Sequence, residues 1–407
     1  MSSKIIWFIN EYAGSPYHGM EFRHYYLSKE LIKLGFKVYI ITASYSHLFY
    51  NLPKVENSFK LEKIDGINYL WVKVPKYQNS YDKKRVLKWF AFTFKTYFSL
   101  PVEKLEKPNY IVVSPMATFP IISGLRWSKK FKAKLIFEVK DIWPLTLVEL
   151  GGYSWNHPFI KLMRFFELLA LKKADKIVSV LYNYGEYLKN IGLEREWCYI
   201  PNGVSLKEYK EKDLPTEVLK LIPKGKFIVG YTGSIGTANA LHYLIETAKL
   251  LKSRKDIVFL IVGKGSEKDR LIGLSKAYKL DNVIFLPSLK KEEVLTLLKK
   301  FIDVAFINLK KSKLFYYGVS PNKIFDYMYA KKPIIHAINT KNDLVSQANC
   351  GISVPAEDPK AIACAVLRLY KMSPDERKKI GENGYRFLLK NHIYENLAKK
   401  FIECISK

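Results

Sequence analysis

The stretch SPNKIFDYMYAKKPII, residues 320–335, joins a helix to a strand and decides the class of fold. Phe325 and Met328 recur at helical spacing, and after Lys-Lys-Pro the chain runs into Ile334 and Ile335, which belong to a short apolar segment. A buried helix that leads directly into a buried strand is the repeating unit of a parallel sheet covered by helices. The stretch therefore predicts the same unit on both sides of it.

The alternation of strand and helix extends along both halves of the chain. Strands are predicted at 4–10, 37–42, 110–114, 134–139 and 176–181, and again at 227–233, 257–263, 282–287, 303–308, 332–337 and 351–355. Helical patterns separate most of them, as at 20–34, 118–130 and 158–173. The alternation predicts an α/β protein of two doubly wound domains that face each other across a cleft.

The predicted boundary between the two domains lies at the turn signal PNG, residues 201–203. We therefore expect one domain over residues 1–200 and a second over residues 201–390. The last stretch, 391–407, is predicted to be a helix that packs back on the N-terminal domain. A length of 407 residues fits two domains better than a single core.

Composition is that of a globular protein with a strongly basic balance. Hydrophobic residues make up 48% of the chain, and the net charge is +29, from 67 basic and 38 acidic residues. Such a charge suits a polyanionic partner: nucleic acid, anionic lipid or a phosphorylated substrate. An equally good explanation of the charge is that the whole proteome is rich in Lys and Ile. Charge alone therefore does not choose among these functions.

Three features bear on the cellular compartment. The N-terminal segment reads as a first strand and not as a signal peptide. No uncharged apolar run reaches the ~20 residues that a membrane-spanning helix needs. The four cysteines show no paired spacing, and we expect buried, reduced thiols at Cys198, Cys350, Cys364 and Cys404. We expect a cytoplasmic protein. A further expectation is peripheral contact with the inner face of the cell membrane.

Several catalytic motifs are absent from the sequence. It has no P-loop, no H-E-x-x-H, no C-x-x-C and no G-x-S-x-G, and no two Asp residues stand at D-x-D spacing. The nearest dinucleotide fingerprint, VGKGSEK at 262–268, lacks its third glycine. Any phosphate must therefore be bound by backbone amides, helix N-termini and basic side chains, and we expect neither a metal nor a cofactor.

The opening stretch places polar groups at the start of its helix. Pro321 suits a first helical turn, because its ring fixes φ and it has no N–H to leave unpaired. The N–H groups that follow, together with the helix dipole, form an anion site to which Lys323 adds a charge. Asp326, one turn further on, can accept two hydroxyl groups of a ribose. The pattern predicts a nucleoside diphosphate site, and a capped helix with a solvated Lys is the alternative.

Glycine-rich turns follow three predicted strands. They are NEYAGSPYHGMEFRH (10–24), GYTGSIGTANALHYL (230–244) and VGKGSEKDR (262–270). Each turn places flexible backbone and N–H donors at the carboxyl end of a strand. Ligands of parallel sheets bind at that edge, so the three turns support the same nucleotide site.

As a set, these motifs resemble the family 4 retaining glycosyltransferases of the GT-B fold, two doubly wound Rossmann-like domains. The resemblance rests on GYTGSIGTANALHYLIETAKLL, LIVGKGSEK, NVIFLPSLKKEEV, SPNKIFDYMYAKKPII, YIPNGV, GMEFRHYYLSKELIKLGFKV and FEVKDIWP, which span nearly the whole chain. The last two are similar to members that build surface polysaccharides, often from UDP-N-acetylhexosamine donors. The resemblance implies a metal-independent hexosyltransferase that moves an N-acetylhexosamine or deoxyhexosamine, with retention, from a UDP-sugar to a lipid-diphosphate or saccharide acceptor.

The resemblance also implies where the substrates bind. The N-terminal domain would hold the acceptor and the C-terminal domain the nucleotide sugar. The donor-binding residues would be Gly19, Gly233, Ser234, Gly263, Gly265, Pro287, Ser288, Ser320, Asn322, Lys323 and Asp326. Asp326 matches the second acid of the family's E-x7-E motif, which binds the ribose. His18 and Arg23 are expected to meet the acceptor or a phosphate.

Three departures from the family pattern concern the catalytic groups. Gly318 stands at the first acid of E-x7-E, and Lys140 stands where a His usually precedes the Asp at 141. The turn GSIGTANA has no basic residue beside the diphosphate, so Lys323 and Arg23 are the candidates for that charge. The family's front-face attack needs no protein nucleophile. The predicted catalytic residues are Glu138, Lys140, Asp141 and Lys323.

The segment YDKKRVLKWFAFTFKTYF, residues 81–98, is predicted to be an amphipathic helix. Two sets of side chains would lie on opposite sides of it: Lys84, Lys88 and Lys95 against Val86, Phe90, Phe94 and Tyr97. Basic residues interleaved with aromatic ones suit an anionic lipid surface, with contacts expected at Lys84, Lys88, Trp89 and Phe90. The alternative is a helix that covers the first sheet and keeps a solvated basic face.

Two rival functions are compatible with the sequence. A nucleotide-sugar epimerase of the same two-domain shape would bind the same donor and need no acceptor. A basic nucleic-acid-binding protein would account for the charge, but no recognised nucleic-acid module is present and the glycine turns would have no role. The expected partners are thus a nucleotide sugar, an acceptor and an anionic membrane surface, with no nucleic acid.

Overall fold

The computed structural model describes residues 3–19, 21–78 and 82–406. Residues 20, 81 and 407 belong to predicted segments but lie outside the described residues. The chain divides into two compact units. Unit 1 is Met1–Gly203 together with Tyr394–Lys407, and unit 2 is Val204–Ile393.

Among the described residues, unit 1 forms a sheet of eight strands. They are β1 (Ile5–Ile9), β2 (Lys37–Ala43), β3 (Phe59–Ile64), β4 (Ile67–Val72), β5 (Tyr110–Val113), β6 (Lys134–Val139), β7 (Lys176–Ser179) and β8 (Trp197–Tyr199). Their order is β3-β4-β2-β1-β5-β6-β7-β8, and only the β3–β4 pair is antiparallel. The carboxyl ends of β1, β5 and β6 therefore lie side by side at one edge.

Helices cover both faces of this sheet. Those of the first 203 residues are α1 (Arg23–Lys33), α2 (Lys84–Phe98), α3 (Ile121–Phe131), α4 (Leu145–Glu149), α5 (Pro158–Lys173) and α6 (Tyr184–Asn190). The C-terminal helix, Tyr394–Ser406, packs against α1. Its side chains Leu397, Phe401 and Ile405 are fully buried in the same core cluster as Phe8 of β1. The helix thus completes the core of unit 1.

A disulfide joins the C-terminal helix to the sheet. Cys198 of β8 is bonded to Cys404 across 206 sequence positions. The prediction of four buried, reduced thiols is therefore wrong for this pair, and Cys364 is exposed, while Cys350 is a buried thiol. Spacing gave no signal, because the two bonded cysteines lie in elements that meet only in the folded unit.

Unit 2 contains a sheet of six parallel strands in its described residues. They are β9 (Phe227–Thr232), β10 (Ile257–Val262), β11 (Val283–Leu286), β12 (Val304–Asn308), β13 (Ile334–Ala337) and β14 (Gly351–Val354), in the order β11-β10-β9-β12-β13-β14. All residues of β9, β10, β12 and β13 are buried. Strands covered on both faces read as continuous apolar runs, which is why the sequence located them.

Eight helices accompany these strands in the described residues of unit 2. They are α7 (Thr216–Leu219), α8 (His242–Leu250), α9 (Lys268–Ala277), α10 (Lys291–Phe301), α11 (Asn322–Tyr329), α12 (Leu344–Ala348), α13 (Pro359–Lys371) and α14 (Pro374–Asn391). Helix α11 begins at Asn322, and Pro321 is its N-cap residue rather than part of its first turn. The helix and strand of the opening stretch are therefore α11 and β13.

Helix α2 presents a different side to the sheet from the predicted one. Lys88 and Trp89 are buried, so the prediction that they contact lipid is wrong, whereas Lys84 and Phe90 are exposed. The Lys88 ammonium donates a hydrogen bond to the carbonyl of Glu11 at 3.0 Å, and the Trp89 indole donates to the Tyr12 hydroxyl at 2.9 Å. These polar partners account for the burial of both side chains. Among the described residues, no helix is long and apolar enough to cross a bilayer.

Candidate functional site

Two glycine-rich turns of unit 2 come together at the carboxyl edge of its sheet. β9 and β10 are parallel neighbours that end at Thr232 and Val262, so the turns that follow them meet. Gly233 and Gly263 have φ of +137° and +145°, values that favour glycine. A Cβ atom on Gly263 would lie 1.9 Å from the Gly233 carbonyl oxygen, and one on Gly265 would lie 2.2 Å from that of Ile235. The close approach of the two turns therefore requires glycine.

Lys323 of α11 points into the first of these turns. Its ammonium donates hydrogen bonds to the Tyr231 hydroxyl at 2.5 Å and to Asn239 Oδ1 at 3.2 Å. A Cβ atom on Gly233 would lie 3.1 Å from both Cε and Nζ of Lys323. Burial lowers the pKa of Lys323 to about 7, against the opposing charge of Asp326. The Lys323 amine thus lies against backbone at the sheet edge, and no carboxylate of the described residues is bonded to it.

The N-terminus of α11 adds backbone donors to the same edge. In the described part of the chain, no side chain caps this helix, whose N-cap residue is Pro321. Asn322 is exposed and Ser320 is half-buried. The first-turn N–H groups and the helix dipole therefore favour an anion beside Lys323. Ser234 and Gly265 on the glycine turns, and Pro287 and Ser288 after β11, are exposed as well.

Asp326 is oriented by an aromatic pair. Its Oδ1 accepts a hydrogen bond from the Tyr209 hydroxyl at 2.5 Å, and the Tyr209 ring stacks on Tyr329 at 3.8 Å between centroids. Burial raises the pKa of Asp326, and the nearby charge of Lys291 opposes this. No sequence pattern indicates Tyr209, because it lies 117 positions from its partner.

Gly318 occupies the position at which the family pattern has an acid. Its φ is +119°, and it is buried. A side chain with a Cβ would be strained in this conformation. The local backbone is therefore built for glycine, and position 318 places no carboxylate beside the candidate site.

A second polar cluster lies at the carboxyl edge of the unit 1 sheet, around Glu138 of β6. Its Oε1 accepts from Arg23 at 3.0 Å, and its Oε2 accepts from Ser114 at 2.6 Å and bonds to His24 Nε2 at 2.7 Å. Burial opposes ionisation, but Arg23 and His24 hold the pKa of Glu138 well below its usual range. The prediction of Glu138 as a catalytic carboxylate is therefore corrected, since both oxygen atoms are bonded and the side chain is fully buried.

Arg23 is a structural residue in this cluster. Besides its bond to Glu138, it donates to the carbonyls of Pro201 at 2.7 Å and Ile200 at 2.9 Å. Only 4% of the residue is exposed. The expected contact of Arg23 with a phosphate or acceptor is therefore wrong, because its donors are already used within unit 1.

Lys140 and Glu21 form the accessible part of the same edge. The Lys140 ammonium donates to Glu21 Oε2 at 2.7 Å, and 28% of the Glu21 side chain is exposed. Although burial acts against it, Lys140 lowers the pKa of Glu21. Asp141 is exposed next to this pair. Glu21 was not predicted as a site residue, although it belongs to the motif GMEFRH and precedes His24 by about one helical turn.

Gly19 and His18 belong to a tight loop of unit 1. Gly19 is buried with φ of +130°, and a Cβ atom there would lie 2.5 Å from the Leu48 carbonyl oxygen. Packing within unit 1 alone therefore accounts for this glycine. The Nδ1 atom of His18 is hydrogen-bonded to the Ser15 hydroxyl at 2.8 Å, and burial lowers the pKa of the imidazole. Neither observation tests the predicted substrate contacts of these two residues.

Family models match both units. Residues 167–387 match the model described as Glycosyl transferases group 1, and residues 17–208 match the model described as Glycosyltransferase Family 4. The chain belongs to glycosyltransferase family 4. The resemblance inferred from its motifs is thereby confirmed, and the protein is a transferase enzyme.

Similar proteins add to this identification. The glycosyltransferase is 23% identical over 386 residues to WcaI of Escherichia coli (strain K12), which is named for a role as glycosyl transferase in colanic acid biosynthesis. The match covers 91% of this chain and 92% of WcaI.

Solved structures establish the GT-B fold of the glycosyltransferase. Sucrose-phosphate synthase from Thermosynechococcus elongatus has a TM-score of 0.72 at 18% identity, with 98% of each chain covered. HepE of Anabaena, solved with UDP and glucose, has a TM-score of 0.66 at 14% identity, with 100% of each chain covered. The predicted fold is therefore confirmed.

Proposed function

We propose that this glycosyltransferase transfers a hexosyl group from a UDP-sugar to a lipid-diphosphate-linked or saccharide acceptor during surface polysaccharide synthesis. The sugar is an N-acetylhexosamine or a deoxyhexosamine, its anomeric configuration is retained, and no metal takes part. Unit 2 binds the donor and unit 1 the acceptor. The single observation that carries the proposal is the Lys323 ammonium beside the Gly233 turn, at the carboxyl edge of a parallel sheet.

Charge neutralisation of the leaving diphosphate is the main task of the donor site. The Lys323 ammonium, the N–H groups of the Gly233 turn and the N-terminus of α11 supply positive charge and dipoles at one edge. Such preorganised groups stabilise charge that develops as the glycosidic bond breaks. Gly263, Gly265, Ser234, Ser320 and Asn322 line the nucleotide.

Recognition of the nucleoside is assigned to the side of the site where Asp326 lies. Tyr209 bonds Oδ1 of this carboxyl group and orients it, so Oδ2 can accept a ribose hydroxyl. Pro287 and Ser288 contact the base through backbone groups. The choice of UDP is supported by the fold shared with HepE, which was solved with this nucleotide.

Acceptor activation is assigned to the edge of unit 1. Lys140 meets a phosphate of the acceptor, and Glu21 holds its ammonium in place until then. Asp141 is exposed and can bond an acceptor hydroxyl, as can His18. Because Glu138 is bonded on both oxygen atoms, retention proceeds by front-face attack without a covalent intermediate on that residue. The enzyme acts in the cytoplasm, at the inner face of an anionic membrane.

Thermal unfolding with UDP, GDP and ADP at one millimolar concentration tests the donor site. A ligand at 100 times its dissociation constant adds about 2.7 kcal/mol, which shifts the unfolding midpoint measurably. We expect UDP alone to stabilise the protein, and Asp326→Ala to remove the shift. Glu194→Ala, at an exposed carboxylate of unit 1, is the matched control and should keep it. If UDP shifts the midpoint of Asp326→Ala as much as that of the wild type, the assignment of Asp326 to the nucleotide site is contradicted.

Product analysis separates the transferase from its closest rival. In the absence of an acceptor, the proposed enzyme leaves a UDP-sugar unchanged. An altered sugar or altered donor formed without an acceptor would instead favour a nucleotide-sugar epimerase. Activity that appears only with a lipid-diphosphate or saccharide acceptor, and yields UDP, supports the proposal.

A further inference from the structure

Three helices of unit 1 lie next to one another over its sheet. Helix α2 packs against α3, and α3 packs against α5. Trp89 of α2 and Met163 of α5 share one buried cluster with Phe119, which lies just before α3. We call the outer side of these three helices the α2–α5 face.

Large apolar side chains project from this face into solvent. On α2 they are Leu87, Phe90, Phe94 and Phe98, with 56%, 41%, 61% and 59% of each residue exposed. They recur every three or four positions and therefore form one stripe. On α5, Leu162 and Phe165 are exposed by 39% and 60%.

Ring contacts connect the stripe on α2 with α5. The rings of Phe94 and Phe98 lie 4.7 Å apart, and Phe90 stacks on Phe119 at the same centroid distance. Phe119 contacts Phe166 at 5.4 Å, and Phe166 contacts Phe165 at 5.3 Å. Exposed rings of α2 and α5 are thus connected through the buried ring of Phe119, and exposed apolar groups clustered in this way mark an interaction site.

The same three helices carry almost only positive charge. Helix α2 has four basic residues, α3 has three and α5 has four, and of these Lys88 is buried on the inner side. Their only acid, all three helices being fully described, is Glu167, which is buried and bonded to Arg164 and Tyr187 at 2.5 Å each. No carboxylate of these helices is therefore turned to solvent. The Arg126 guanidinium lies over the ring of Tyr97 at 4.7 Å, at the border of the apolar stripe.

We propose that the α2–α5 face docks on a lipid bilayer that contains anionic phospholipid. Aromatic and aliphatic side chains enter the boundary between headgroups and acyl chains, while the surrounding Lys and Arg residues meet lipid phosphates. A second copy of the chain is a poor occupant, since it would place two surfaces of the same positive charge against each other. The inference rests on the proposed function in one respect, that a lipid-linked acceptor would be found at that surface.

The inner side of α2 connects this face with the edge of the sheet. Arg85 and Trp89 each donate to the Tyr12 hydroxyl at 2.9 Å, and Lys88 donates to the Glu11 carbonyl at 3.0 Å. Glu11 and Tyr12 lie in the turn after β1, at the same edge of the sheet as Lys140, which follows β6. Docking of α2 therefore places the candidate acceptor residues at a fixed position relative to the lipid surface.

Vesicle co-sedimentation of the full chain tests the proposal. The double variant Phe94→Ser with Phe165→Ser changes two exposed residues and leaves the core intact. The matched control is Leu61→Ser with Leu250→Ser, residues that are 43% and 51% exposed on β3 and α8. With vesicles of phosphatidylcholine and phosphatidylglycerol, we expect the variant to bind about tenfold more weakly, or worse, while the control binds as the wild type does. Binding should also fall with salt and be weak on phosphatidylcholine alone.

Three results would overturn the docking proposal: equal binding by the variant, equal binding to neutral vesicles, or a wild-type dimer in sedimentation velocity that the variant dissociates. The UDP-dependent shift in unfolding midpoint is measured on the same samples. A variant that loses vesicle binding but keeps the UDP shift supports docking independently of the donor site. If the wild type binds vesicles but UDP does not shift its unfolding midpoint, the docking proposal stands and the proposed function is contradicted.

Discussion

Lys323 makes ligand binding depend on pH. Because burial holds its pKa at about 7, much of this side chain is neutral in the free protein at neutral pH, whereas a bound diphosphate favours the ammonium form. UDP binding should therefore take up protons as pH rises above about 7, and affinity should fall with it. Isothermal titration in buffers of different ionisation enthalpy measures the uptake. Lys323→Met should abolish it and Lys264→Met, at an exposed Lys, should not.

The same residue affects the stability of the free protein. Its pKa is near 7 when folded and about 10.4 when unfolded, so the unfolded state binds more protons between these values. The contribution of Lys323 to the free energy of unfolding therefore rises with pH in that window. If the proton uptake on UDP binding is identical in the wild type and Lys323→Met, the assignment of the pH dependence to Lys323 is contradicted.

Gly263 offers a steric test of the donor turn. Gly263→Ala places a Cβ atom on the Gly233 carbonyl at a strained φ, and we expect it to cost about 1–3 kcal/mol and weaken UDP binding. Gly273→Ala on α9 meets nothing within 4 Å and should stabilise the protein by about 0.5–1 kcal/mol. Urea unfolding compares the two. Equal stability of both variants would show that the turns are not packed as described.

Residues of the candidate site could be predicted where their signal is local in sequence. Gly233, Gly263 and Lys323 stand out because a glycine after a strand, or a Lys in a first helical turn, has a defined physical use. The partnership of Tyr209 with Asp326 could not be predicted, since it depends on contacts between distant segments. The hydrogen bonds that Arg23 makes within unit 1 could not be predicted for the same reason.

At the scale of elements, strands covered on both faces were the easiest to predict and helix orientation was the hardest. The hairpin of β3 and β4 was missed, although Asp65 and Gly66, at φ of 47° and 87°, form the two-residue turn typical of hairpins. Helix α2 carries aromatic residues on several sides, so its pattern did not decide which side faces the sheet. The burial of Lys88 was decided by its bond to the Glu11 carbonyl.

Arg23 connects three elements, and its removal tests that connection. It joins α1 to β6 through Glu138 and to the segment after β8 through two carbonyls. Arg23→Met leaves a buried carboxylate with fewer partners, and we expect a loss of about 3–5 kcal/mol in chemical denaturation. Asp281→Asn breaks an exposed ion pair with Lys255 and should cost no more than about 1 kcal/mol. Similar losses in both variants would refute the structural role of Arg23.

At the scale of the whole molecule, the disulfide ties the C-terminal helix to the rest of unit 1. Reduction, or Cys198→Ala with Cys404→Ala, should lower the stability of unit 1 by about 2–4 kcal/mol, because the bond closes a long loop. Cys364→Ala, at an exposed thiol, should have no effect. Thermal unfolding with and without reductant measures the difference. Identical midpoints under both conditions would show that the bond contributes nothing to stability.

The return of the last helix to unit 1 also sets an order for folding during translation. Unit 2 is one continuous segment, Val204–Ile393, and its last residue is added to the growing chain before Leu397, Phe401 and Ile405. Until then, unit 1 lacks one wall of its core. The segment synthesised first is therefore the last to close, and the nascent N-terminal half must remain unaggregated while the whole of unit 2 is produced.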